Sequence, residues 1–213
     1  MIDVATLRRR LLYPVAIVAG LGLIAEVWHA RSHGAVIEAL LPKLSLSYEA
    51  NLPTWLSSSL LLACAVTAGA IAASRPPWHR HWWGIVGVLA WMSLDEAAEL
   101  HEHLGGLVGT NGIFYFDWVI PAAGVVGVLA VIYWPFVRAL VPATRNRLLV
   151  AAAIYVGGAL VMELPLGWWT EHHGAEGLGY GLIDWIEETL EMIGATLALV
   201  ALARHWQETR RGA

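Results

Sequence analysis

Asp95, Glu99 and Glu102 stand at i, i+4 and i+7 inside an otherwise apolar stretch, and Asp184, Glu188 and Glu191 repeat that interval. At about 100° per residue, each trio falls within roughly 60° of one helix face. Glu96 and His103 flank the first trio and Glu187 the second. A carboxylate at the centre of a membrane helix costs about 2.5–3.5 kcal/mol. Two such stripes therefore predict a bound cation, a water-filled cavity or protons shared between the acids.

Other stretches offer partners. Glu26 and His29 form a Glu-x-x-His step, His33 extends it, and Glu163 precedes Pro165. Carboxylates from several helices together with a Glu-x-x-His step are the ingredients of di-iron and di-manganese sites in helical bundles. The second step departs from that pattern, because Glu188-x-x-Glu191 has no histidine. The candidate metal ligands are Asp95, Glu99, Glu102, His103, Glu163, Asp184, Glu188, Glu191, Glu26 and His29. Hard oxygen donors with a few imidazoles suit a divalent metal ion, Fe or Mn ahead of Zn. Carboxylates not taken up by the metal could act as general base, and Glu99 and Glu188, themselves in the candidate ligand set, are the candidate catalytic residues.

Local chemistry competes with this reading at some positions. Asp117 and Asp184 also suit helix N-termini, where negative charge meets the helix dipole. Asp95, Glu99 and Glu191 lie deeper and away from helix starts, so an intramembrane function accounts for them better. Ser57, Ser58 and Ser59 suit either a cavity wall or close helix contact. The Gly157-Gly158 pair suggests packing.

The elements that must carry these groups are membrane helices. Of 213 residues, 58% are hydrophobic and 14% charged, and the mean hydropathy is +0.59. That balance indicates one integral membrane domain over residues 1–213 and excludes an ordinary soluble domain. Twelve tryptophans suit aromatic belts at two interfaces. A lone cysteine, Cys64, excludes an internal disulfide. No Walker loop, Rossmann fingerprint or HExxH occurs, and the scattered basic residues do not form a nucleic-acid surface.

Apolar runs predict an all-α, polytopic bundle of six transmembrane helices at 11–29, 53–74, 83–104, 114–137, 148–167 and 182–204. A short interfacial helix is expected at Ala35–Leu46. Arg8 to Arg10, Arg75, Arg80, Arg138, Arg145, Arg147, Arg204, Arg210 and Arg211 would share one side, with only Arg31 and Lys43 opposite. By the positive-inside rule both termini are cytoplasmic, in a bacterial-type inner membrane. Arg8–Arg10 before an apolar run resembles a signal peptide, but no small-residue cleavage site precedes Glu26, so the first helix is expected to be retained. Nearly all the acids then fall in the outer half, and a site there opens to the extracytoplasmic side. Antiparallel third and sixth helices would set Asp95 near the depth of Glu191.

Two functions follow. The first is a membrane metalloenzyme, an oxidoreductase or hydrolase acting on a lipid or lipid-soluble small molecule. The alternative is a divalent-cation or proton-coupled transporter, built as two inverted halves. Both trios lying in the outer half count against inversion. Membrane lipids are the expected surroundings in either case. A scaffold whose acids bind a partner leaves the depth of Asp95 and Glu191 unexplained.

Overall fold

The computed structural model describes residues 3–101, 103, 105–106 and 108–211. All regular structure among them is helical. The order is α1 (Val4–Arg31), α2 (Ala35–Leu44), α3 (Leu52–Ala73), α4 (His79–Ala98), a short 3₁₀ turn at Gly112–Phe114, α5 (Val119–Ala139), α6 (Pro142–Val156), a π-helical segment at Gly157–Met162, α7 (Glu163–His173) and α8 (Leu178–Arg211). Four stretches are long and apolar enough to cross a membrane: Val4–Arg31, Leu52–Ala73, Val119–Ala139 and the continuous Pro142–His173. The other two long helices, α4 with 20 residues and α8 with 34, are those that carry the acidic trios.

Local chemistry sets several ends away from the apolar boundaries. α1 starts at Val4, well before the apolar run, because the Asp3 carboxylate accepts the Ala5 and Thr6 backbone N–H groups as an N-cap. Asn51 caps α3 by accepting Thr54 N–H at 3.1 Å, and its amide donates to the carbonyls of Pro42 and Ser45. One side chain thus ties α2 to α3. α4 stops at Ala98, short of the predicted 104, and Glu99 turns left-handed with φ 54°. The Asp95 carboxylate takes the His101 backbone N–H at 2.9 Å, which replaces helical bonding with a tight turn. α5 starts at Val119, later than the predicted 114, because residues 112–114 form the 3₁₀ turn instead.

α8 is the axis of the bundle, packing against α1, α3, α6, α7 and the π segment. α3 and α4 form the other main pair. Ser58 Oγ donates to Ser93 O at 2.8 Å and Ser93 Oγ donates back to Ser58 O at 2.8 Å. Such reciprocal bonds join helices where lipid supplies no hydrophobic drive. The apolar core runs through Leu61, Cys64, Ala68, Met192, Ala195 and Leu202, all buried. Beyond it Trp82 stacks on His205 and meets Phe136 edge-on.

Two glycines let α6 and the π segment approach α8. A Cβ on Gly158 would lie 2.8 Å from Glu187 O and 3.2 Å from Glu191 N, which are backbone atoms that cannot swing aside. A Cβ on Gly194 would meet the Tyr155 backbone N at 2.7 Å. Gly157 faces open space. Gly158→Ala should therefore cost about 1–3 kcal/mol by forcing the helices apart, whereas Gly157→Ala should leave stability unchanged. Thermal unfolding of the two variants in detergent is the check.

Candidate functional site

Asp184, Glu187, Glu188 and Glu191 occupy one face of α8 and point into the bundle. Asp184 is 9% exposed, Glu187 5% and Glu191 7%, and Glu188 is half-buried. Three walls close on this face. Glu163 (8% exposed) begins α7 directly after the π segment and is a charged neighbour of both Glu187 and Glu191. Glu96, on α4, neighbours Glu188 and Glu191. Tyr155, on α6, brings its hydroxyl within hydrogen-bonding reach of Glu191. Glu191 therefore sits where the α4 and α7 walls meet.

The π segment explains part of this placement. A π turn adds a residue relative to an α turn and re-aims the side chains that follow. Here it falls at Gly157–Met162, against α8, and Glu163 is the next residue. Ser57 on α3 is 1% exposed, and its hydroxyl lies within hydrogen-bonding reach of Glu96. Glu187 Oε2 is buried without a hydrogen-bond partner among the described residues.

Glu26 enters from α1 and is 7% exposed. Its carboxylate accepts a short hydrogen bond from Ser45 Oγ and lies against Gly181, where a Cβ would fall 2.6 Å from Glu26 Oε2. Glycine at 181 thus makes room for a carboxylate one turn from Asp184. Glu49, between α2 and α3, accepts from Thr54 Oγ1 at 3.1 Å and is a more remote charged neighbour of Glu191.

The remaining predicted residues have other surroundings. Asp95 binds His101 twice, through the backbone N–H and through Nδ1 at 3.0 Å. Its chain neighbour Glu96 is the α4 acid that faces Glu188 and Glu191. Glu99 ends α4, and its carbonyl contacts His103 Nδ1 at 2.9 Å; His103 is exposed. The face shared by Asp95, Glu99 and Glu102 requires a helix that α4 does not continue, and Glu102 lies outside the described residues. His29 packs edge-on against His33, with ring centroids 5.0 Å apart. Among the described residues, no three His, Cys, Asp or Glu side chains are grouped as a metal-ligand set.

Glu96, Glu187, Tyr155, Ser57 and Ser45 belong to the cluster around the α8 acids and Glu26 although the acidic spacing does not single them out. Glu96 is legible in hindsight. Ser93 faces α3, and Glu96 is three residues further along the same helix face. Tyr155 has no sequence signal beyond its nearness to Gly157-Gly158.

Asp117 serves the loop between α4 and α5 rather than a helix start. It is 2% exposed and accepts the backbone N–H groups of Gly106, Val108 and Gly109, each at 2.8 Å. The bonds from Gly109 and Val108 are the main cause holding its carboxyl below the ordinary aspartate range. A depressed folded-state pKa contributes stability above the unfolded value, and that stability is lost as pH falls through the folded value. The Gly106, Val108 and Gly109 amides should be protected from hydrogen exchange at neutral pH and lose protection on acidification into that depressed range. In Asp117→Ala they should exchange fast at every pH.

No curated protein and no solved structure matches the chain. Residues 11–206 match the family model described as a domain of unknown function, DUF8692. That span covers nearly the whole bundle, from α1 to the distal part of α8, and the chain belongs to this family.

Proposed function

We propose that the chain is a six-span integral membrane protein, with both termini cytoplasmic, that binds a divalent cation in the chamber around Glu191. In this reading α4 and α8 also cross the membrane, carried by the four more apolar helices. The bound ion serves chemistry on a lipid-soluble substrate from the extracytoplasmic side.

The observation that carries the reading is the burial of Glu26, Glu163, Glu187 and Glu191 on α1, α7 and α8. Among the described residues, Glu26, Glu187, Glu188 and Glu191 have no Lys or Arg ion pair. Removing an ion from water costs several kcal/mol even after relaxation, and neighbouring like charges add to that. A cation inside the cluster offsets both terms at once. The lining is oxygen-rich, from carboxylates, the Tyr155 hydroxyl and the Ser57 hydroxyl, which suits Mn and then Fe better than Zn. Binding must draw the side chains together, because no ready ligand set exists among the described residues. Glu191 is the central ligand in this reading, with Glu163, Glu187 and Glu96 around it. Glu188, half-buried beside them, is the candidate base, and Glu99 at the α4 terminus is not.

An apolar floor favours an enzyme over a carrier. Cys64, Ala68, Met192 and Ala195 are each at most 1% exposed next to Glu191, with the Thr196 hydroxyl as the polar group buried among them and no charged side chain within this set of five. A carrier needs polar groups through that layer.

Elemental analysis of the purified protein tests the reading. Wild type should retain stoichiometric Mn or Fe, and Glu191→Gln should lose it while keeping a cooperative thermal transition. A metal-free wild type that accepts no added Mn or Fe would sink the proposal. Cation flux in proteoliposomes would then favour transport.

A further inference from the structure

At the opposite end of the bundle, α1 and α6 both pack on α8 without an extended contact with each other. The gap between them is a groove of about 760 Å³ on the surface of α8. Its mouth carries Arg8, Asn146, Arg147, Arg204 and Gln207, and its wall carries Val150, Leu197 and Val200. We propose that this groove binds an anionic phospholipid, with the phosphate held by Arg8 and Arg147 and an acyl chain laid along the apolar wall.

Charge accounting within the groove supports the anion. Two acids also line it, and both are engaged. Asp3 accepts Ala5 N–H, Thr6 N–H and the Thr6 hydroxyl as the cap of α1. Glu208 is held by Arg204 at 2.8 Å and lies 3.8 Å from Arg147 Nη1. That Arg147 nitrogen is buried and turned to Glu208, while the Arg147 side chain as a whole is 32% exposed and leaves the rest of its guanidinium to face the groove. Arg8 is exposed and has no acidic partner at ion-pair distance among the described residues. A guanidinium fork with open donors matches the geometry of a phosphate oxygen pair. Basic pockets between helices on the cytoplasmic side are suited to lipid phosphates.

The shape selects a lipid over a free anion. Inorganic phosphate would occupy the arginine mouth and leave the apolar wall facing water or lipid tails. A phospholipid satisfies both parts, because its headgroup sits at the arginine level and its chain follows Val150, Leu197 and Val200. The arginine mouth lies about 20 Å from Glu191 along α8, and the groove's nearest wall residue on that helix, Leu197, about 9 Å, by the helical rise per residue.

The test is lipid titration of the full chain in a neutral detergent, read as the thermal transition. The probes are phosphatidylglycerol, phosphatidylcholine with the same acyl chains, and inorganic phosphate. Phosphatidylglycerol should raise the transition saturably, and the other two should not. Arg8→Gln should weaken the apparent affinity about five-fold, the value of one arginine near an anionic lipid. Arg147→Gln should weaken it at least as much. Arg138→Gln, at the end of α5 and outside the groove, should match wild type. If Arg147→Gln does not fold, Arg8→Gln decides the matter, since Arg8 is exposed. Equal stabilisation by phosphatidylcholine would overturn the proposal, as would an Arg8→Gln response equal to wild type. A shift produced by inorganic phosphate alone would assign a free-anion site and overturn the lipid.

Discussion

Four acids on one face of α8 point into the bundle without a lysine or arginine beside Glu187, Glu188 or Glu191 among the described residues. The surrounding elements accommodate that burden. The π segment widens the helix opposite and delivers Glu163, and Gly158 lets that widened turn reach the α8 backbone. Gly181 leaves room for Glu26, and Ser45 gives Glu26 a donor. α8 is too polar at this end to sit in lipid alone, so its position depends on these neighbours. They in turn are arranged around it, since α1, α3, α6 and α7 all pack on α8.

The sequence disclosed the parts of this arrangement that depend on spacing and polarity. Helical class follows from long apolar runs, and the α8 acids follow from their interval, because α8 is one uninterrupted helix and its faces can be counted. The α4 trio could not be read the same way. Its interval assumes a helix through residue 102, whereas α4 ends at Ala98, where Asp95 captures His101 N–H. A bond from a side chain to the backbone ahead of it is invisible to periodicity and ends the helix before the assumed face is complete. Glu96 rather than Asp95 faces the α8 acids because α4 turns Ser93 toward α3, and Glu96 follows Ser93 by three residues. The π segment was hidden on similar grounds. Gly157-Gly158 indicates close packing in any helical form, and nothing in the composition separates a π turn from an α turn.

The arginines at the far end of the bundle do not neutralise the acids. Glu191 and Arg204 are separated by about 20 Å along α8, from the helical rise per residue. At an effective dielectric of about 20, a pair of unit charges at that distance attracts by only about 0.8 kcal/mol. Burying one carboxylate costs several kcal/mol. The arginine cluster therefore does not offset the burial of Glu191, and the charge problem there has to be solved by the groups around it. Protonation alone would solve it by making the acids donors, and buried donors need acceptors. Neighbouring carboxylate oxygens can accept such protons, and each proton shared between two acids removes one charge from the cluster. A cation accepts electron pairs from the carboxylates and from the Ser57 and Tyr155 hydroxyls alike. In the proposed reading a cation would satisfy charge and lone pairs together, whereas shared protons would lower the charge one pair of acids at a time.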